Sequence, residues 1–179
     1  MTAAVGADAR DAHVGAAACD HGRMAVEARP GGRGDEEAVR DANSAFYAAF
    51  ETRDFDAMSD LWEHSDRAVV THPGWPTLRG WARIAGSWEA IFRNTPFIQF
   101  VLTGEEVSVT GDVAWVTLDE NILQTTGGDD GDGDELAGAH VAALNLFVHD
   151  GAAWRMVAHH GSPVGASRSL TCAIRIPGV

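Results

Sequence analysis

Apolar residues recur at two spacings along this chain, and the change from one to the other divides it in two. Starting at Asp35, the residues Val39, Ala42, Phe46, Ala49 and Phe50 return every three or four positions, the stripe of an amphipathic helix. Asp35 is the expected N-cap, with Glu36 and Glu37 in the first turn, where negative charge meets the helix dipole. A shorter helix carries Phe55, Met58, Leu61 and Trp62. Residues 68–72 read as a strand stopped by Pro73-Gly74, and Trp81, Ile84, Trp88, Ile91 and Phe92 mark a third helix opening after Gly80. From Phe97 the period falls to two. Strands are expected at 97–102 running on into 107–110, at 113–125, at 137–149 and at 154–160. The turns between them are Thr110-Gly111-Asp112, a Gly/Asp loop at 127–134 and His149-Asp150-Gly151. Helix, helix, strand, helix and then a four-stranded antiparallel meander make an α+β layout, with helices covering one face of a curved sheet.

Strand parity then assigns faces, because successive side chains point to opposite sides. In the last strand Trp154, Met156, Ala158, His160 and Ser162 share one face, an apolar wall ending in an imidazole and a hydroxyl. On 113–125, Trp115, Thr117, Asp119 and Asn121 share a face and are read as lining the same cavity. On 137–149, Val141, Ala143, Asn145 and Phe147 fall on the cavity side. Ala142, Leu144, Leu146 and Val148 fall on the other, joined by Val116, Leu118, Ile122 and Val157. Branched apolar residues on both faces predict that a second copy covers the open one, making a homodimer.

Composition narrows the partners. The 179 residues suit one domain with tails, and the charge of −13 sets 26 Asp+Glu against 13 basic residues, all of them Arg. Such a surface repels phosphate backbones and anionic lipid, so neither nucleic acid nor membrane is an expected partner. There is no apolar run long enough to span a bilayer and no secretory core at the N-terminus, which predicts a cytoplasmic protein. Residues 1–34 lack a period and are read as disordered, with Met24 an alternative start; 164–179 are read as a tail. Cys19 and Cys172 lie in those tails and suggest neither a disulfide scaffold nor a metal site.

Other chemistry-bearing residues have ordinary explanations alongside the functional ones. His72, His140, His159 and His160 invite a metal, but adjacent histidines on a regular strand point apart, so no metal and no cofactor is expected. The Asp130–Asp134 run mimics the start of a calcium loop and then fails, with Glu135 where Gly is needed and Val141 in place of the closing Glu. Trp62, Trp81 and Trp88 fall on helical apolar stripes; Trp75, in the Pro73–Pro76 turn, is a candidate for the cavity rim.

Three strings, AFYAAFETRDFDAMSDLW, VVTHPGWPTLRGW and WRMVAHHGSPV, resemble the SnoaL-like members of the nuclear transport factor 2-like superfamily, over roughly 35–163. The resemblance implies the cone-shaped fold shared with ketosteroid isomerases: a curved antiparallel or mixed sheet whose concave face is covered by three helices. It puts His72 where the isomerases hold the proton-shuttling carboxylate, and Asn145 where they hold an acid that donates to the substrate oxygen. It puts Phe46 in the place of their phenol, with Tyr47 pointing elsewhere. Departing at all three positions, the chain is not expected to isomerise ketosteroids by that route. The implied function is a pocket for a small apolar molecule with polar handles, lined by Phe46, Trp62, Trp75, Trp88, Trp115, Thr117, Asn121 and Ser162. If it is an enzyme, the implied class is isomerase, cyclase or dehydratase acting by proton transfer next to a carbonyl. His72 or Asp119 would then be the base, with Asn145 and His160 stabilising the oxyanion. The fold also hosts non-catalytic association modules, which is the alternative. An epoxide hydrolase of this fold ranks last, because Arg155 is the lone arginine in the strands and sits on the wrong face.

Overall fold

Helix α1 (Arg33–Thr52) starts two residues before its acidic run. Gly32 is the N-cap, and Asp35, expected in that role, sits in the first turn and accepts from the Gly32 backbone N–H at 3.0 Å. The computed structural model describes residues 32–126 and 135–165. The expectations for positions 1–31, for the loop at 127–134, for 166–179 and for both cysteines lie outside the described residues. Arg53 ends α1 in the left-handed region at φ 56°, and Asp54 caps α2 (Phe55–Leu61) by accepting from Ala57 N at 2.9 Å. Strands β1 (Val69–Thr71) and β2 (Leu78–Arg79) flank the Pro73–Pro76 turn, and α3 (Trp81–Asn94) follows. Then come β3 (Ile98–Thr110), β4 (Val113–Thr126), β5 (Glu135–His149) and β6 (Trp154–Pro163). No helix among the described residues is long and apolar enough to cross a membrane.

The six strands form one mixed sheet in the order β2-β1-β6-β5-β4-β3. The meander β3–β6 is antiparallel throughout, while β1 runs parallel to β6, with Val70 beside His159. That parallel contact brings the end of β1, and so His72, next to the last strand. Helix α1 lies across β3, β4 and β6, and its Val39, Phe46 and Ala49 are buried against the sheet. Phe46, Met58, Trp88, Val116, Phe147 and Met156 are fully buried at the centre of the core. Each large apolar side chain so buried contributes roughly 1.5–3 kcal/mol.

Two bulges matter more for function than the regular pairing. Between Thr103 and Glu106 the β3/β4 register shifts, with Gly104 at φ 64° inside the irregularity. In β6, Leu146 pairs with Ala158 but Phe147 pairs with Met156, so Val157 is an extra residue. A bulge re-aims every side chain beyond it. Past Val157 the faces of β6 exchange: His159 and Gly161 are buried, while His160 and Ser162 are exposed. Gly161 is crowded, since a Cβ there would stand 3.0 Å from Pro73 Cγ. That close approach seats the HPGWP turn against the sheet.

Candidate functional site

A cavity of about 370 Å³ opens between α1, α3 and the concave face of the sheet. Phe50, Ile91, Ile98, Phe100, Ile122 and Val141 give it an apolar wall. Trp75, 45% exposed, lies at its edge, and Asn94, Thr95 and Gln124 add polar groups. Among the described residues three titratable side chains line it: His72, Glu120 and His159.

The imidazoles of His72 and His159 lie with ring centroids 6.4 Å apart, and Trp88 packs against both, at 4.7 and 6.2 Å. Phe46 adds a ring 5.1 Å from His159. Burial in this aromatic surround favours neutral imidazole, pushing His72 down to about 4 and His159 to about 3. His72 Nε2 meets Ser87 Oγ at 2.9 Å, and His159 Nδ1 meets Asn145 Oδ1 at 2.6 Å. Burial acts oppositely on Glu120, raising its carboxyl to about 7, opposed in part by the Tyr47 hydroxyl, which donates to Oε1 at 2.6 Å. Tyr47 itself is held far above the usual phenol range by its burial and then by the Glu120 charge.

The expected site is therefore only partly assembled. His72, Trp75 and Asn145 belong to it, Asn145 from behind His159. Asp119, Trp115, Thr117 and Asn121 are on the opposite face, because β4 buries Ala114, Val116, Leu118 and Glu120. Asp119 there faces His140 at 3.4 Å, and the side chains expected outside, Val116 and Leu118, are core. His160 and Ser162 are turned outward by the Val157 bulge, and His159 takes the place expected of His160. Phe46 and Trp88 form the core wall behind the histidines, and Trp62 lies at a separate surface depression with Asp60, His64 and Arg155. Tyr47, expected to point elsewhere, reaches inward. Its signal was present: Asn43, Phe46, Tyr47 and Phe50 share one helical stripe. Among the described residues no cluster of His, Cys, Asp and Glu could hold a metal ion.

These ionisations make stability pH-dependent with a definite sign. The unfolded histidines bind protons below about 6.5, whereas the folded ones stay neutral down to about 4 and 3, so their contribution is lost as pH falls from 6.5. Glu120 acts oppositely: its contribution is full below 4.5 and lost as pH rises to about 7. Between pH 4.5 and 6.5 two protons on the unfolded chain oppose one on the fold. Stability should therefore rise with pH across this window, by roughly 1 kcal/mol per pH unit. Glu120→Gln removes the opposing contribution and should about double that slope. Denaturant titrations at pH 5.0, 5.5, 6.0 and 7.0 measure both; equal slopes would mean that Glu120 is ionised in the fold at pH 5.

A family model described as a SnoaL-like domain matches residues 39–166. Among solved structures, the chain is similar to a proposed dehydratase of the NTF2-like family from Streptomyces avermitilis. That protein shares 42% identity over 73% of this chain and 96% of its own, with a TM-score of 0.66. The chain is also similar to a proposed calcium/calmodulin-dependent protein kinase type II association domain from Thiobacillus denitrificans. There the identity is 29% over 70% of this chain and 94% of that one, with a TM-score of 0.59. F-box protein SKIP8 of Arabidopsis thaliana is 26% identical over 125 residues, 70% of this chain and 49% of that protein. The chain thus spans about half the length of the curated relative it matches.

Proposed function

The chain belongs to the SnoaL-like domain family, and on that footing we propose that it binds a small, largely apolar hydroxy-carbonyl compound in the concave cavity and removes water from it by proton transfer. One observation carries this reading. Glu120 is the single acid among the described lining residues, burial raises it to about 7, and two neutral imidazoles line the same cavity. A proton carrier works best when its pKa lies near the working pH. The ionised carboxylate takes the proton from the carbon next to the carbonyl. The electron pair of that C–H bond becomes the new double bond as the β-hydroxyl leaves. The same carboxyl returns its proton to the departing oxygen, which is released as water. Tyr47 stabilises the charged form of Glu120 by donation, and His72 and His159 orient the substrate. The 42% identity to a proposed dehydratase supports the class of reaction but not the identity of the substrate.

The test is a panel of β-hydroxy ketones and β-hydroxyacyl thioesters incubated with the full chain in D₂O, followed by NMR for alkene formation and for deuterium at the α-carbon. Turnover of a panel member supports the reading. If no member reacts or exchanges faster than with Glu120→Gln, the reading fails. A second reading, an association module, is favoured by the apolar side chains on the open sheet face, which we propose a second copy covers.

A further inference from the structure

A chain of hydrogen bonds runs behind the cavity wall from the surface to His159, and donor and acceptor chemistry gives every link one direction. It starts at the rim, where Arg40 Nη1 donates to Glu105 Oε1 at 2.6 Å. The bulge at Gly104 turns Glu105 toward α1. A carboxylate only accepts, so the 3.1 Å contact between Glu105 Oε2 and Asn43 is a donation from Asn43 Nδ2. Asn43 Oδ1 is then left to accept from Asn145 Nδ2 at 2.8 Å. The other N–H of Asn145 faces the Tyr47 hydroxyl at 3.4 Å, so the remaining atom of that amide, Oδ1, is the one that meets His159. An amide oxygen only accepts, which puts the His159 proton on Nδ1. Neutral imidazole carries one N–H, so Nε2 holds a lone pair, and it has no protein partner among the described residues.

His72 follows by the same logic. The single hydroxyl hydrogen of Ser87 is donated to Ile84 O at 2.7 Å, so Ser87 Oγ accepts from His72 Nε2–H. His72 Nδ1 is left with its lone pair.

We infer that the Arg40–Glu105 ion pair, acting through Asn43 and Asn145, fixes the proton of His159 on Nδ1, so that the inner wall of the cavity selects its ligand by a hydroxyl hydrogen and not by a carbonyl oxygen. The inference rests on the reading above only in taking this cavity as the ligand site, and it deepens that reading by orienting the substrate. The hydroxyl lies at the histidine end, donating to a ring nitrogen, and its oxygen lone pairs remain free to take a proton. The carbonyl lies toward Asn94, Thr95 and Gln124, whose side chains can donate. Glu105, Asn43 and Asn145 are positioning residues that act through His159.

The histidine tautomer is measured on the full chain without substrate, so failure here is distinct from failure of the dehydratase reading. Two-bond ¹H–¹⁵N correlation on ¹⁵N-labelled protein at pH 7 reports which ring nitrogen carries the proton. His159 should carry it on Nδ1; a proton on Nε2, or on both nitrogens, overturns the inference. Glu105→Gln should reverse the relay. With Arg40 holding the amide oxygen at position 105, its NH₂ turns to Asn43 and donates to Oδ1. Asn43 and Asn145 then flip in turn, and the His159 proton moves to Nε2. Position 105 is part-exposed, which favours folding of this variant; the double exchange Arg40→Glu with Glu105→Arg reverses the same links with the ion pair kept. If either folded variant retains Nδ1–H, the relay does not set the tautomer. Cyclohexanol and cyclohexanone test the ligand. The alcohol should shift His159 Nε2 at concentrations about tenfold below any effect of the ketone, the order of discrimination that one lost buried hydrogen bond gives. Equal shifts, or no shift from the alcohol at its solubility limit, overturn the hydroxyl assignment.

Discussion

Glu120→Gln should lower kcat on any compound the cavity turns over by about 10²- to 10⁴-fold, the usual contribution of a positioned general acid–base group. The substitution keeps size and shape, and the amide oxygen can still accept from Tyr47 at the 2.6 Å contact. A folding defect is not expected, because a carboxyl raised to about 7 is ionised above neutral pH at a desolvation cost that the amide avoids. At pH 8 the variant should therefore melt above the unmodified chain while having lost turnover. That opposed pair of results separates loss of chemistry from loss of structure. Asp119→Asn is the control. It changes the neighbouring residue on the opposite face, within the Asp119–His140 contact, and should leave kcat unchanged. A loss of activity in the control with none in Glu120→Gln would put the chemistry on the wrong side of the sheet and sink the assignment.

That one-residue distinction between Asp119 and Glu120 is where reading by pattern reached its end. Helix stripes, the four-stranded meander and the resemblance carried the fold, because burial of an amphipathic face imposes its own period. The central faces of β5 were legible for the same reason, and Asn145 came out on the inner side. On β4 the alternation is clean, but each face mixes apolar and polar residues, Trp115 with Asp119 and Asn121 on one and Val116 and Leu118 with Glu120 on the other. Parity groups Trp115 with Thr117, Asp119 and Asn121 and the expectation puts that group inward, although the buried set is Ala114, Val116 and Leu118. A two-residue period fixes which side chains go together and leaves open which group faces in. On β6 the period itself breaks. The extra residue at Val157 leaves no trace in composition, so parity carried past it selected His160 in place of His159. Strand β2, two residues long, has no readable period. The relay through Glu105 was illegible for a related reason, since it depends on the bulge that turns Glu105 toward Arg40 and Asn43. Residues far apart in sequence meet only once registers are known.

Leu144→Glu should halve the mass of the protein in solution, from near twice 19.0 kDa to near 19.0 kDa. The open face of the sheet carries Val101 at 60% exposure, Leu144 at 42% and Trp115 at 37%. Trp115 and Leu144 are not scattered, while Val101 stands beside Asn121. Trp115 pairs across the ladder with Leu146, and Leu146 pairs with Ala158 on the next strand; Leu144, two residues along β5, lies between Thr117 and His160. An antiparallel sheet with helices on one side ordinarily shows polar residues on its open side. A contiguous apolar patch of a few hundred Å² on that side marks an interaction surface. A second copy is the simplest occupant, because a two-fold contact lets one patch serve as its own complement. Asp119, His140 and Asn121 supply a polar border on the same face. At Leu144 a carboxylate would be buried once from each protomer, so two like charges would lose water without gaining partners, at a cost of several kcal/mol. Leu146→Glu is the companion variant on the same strand, and the half-buried Leu146 makes it the more disruptive to the monomer's own fold. Light scattering at micromolar concentration reads the result directly: an unmodified chain already near 19.0 kDa removes the dimer, and a Leu144→Glu variant that stays at twice that mass moves the interface off this face.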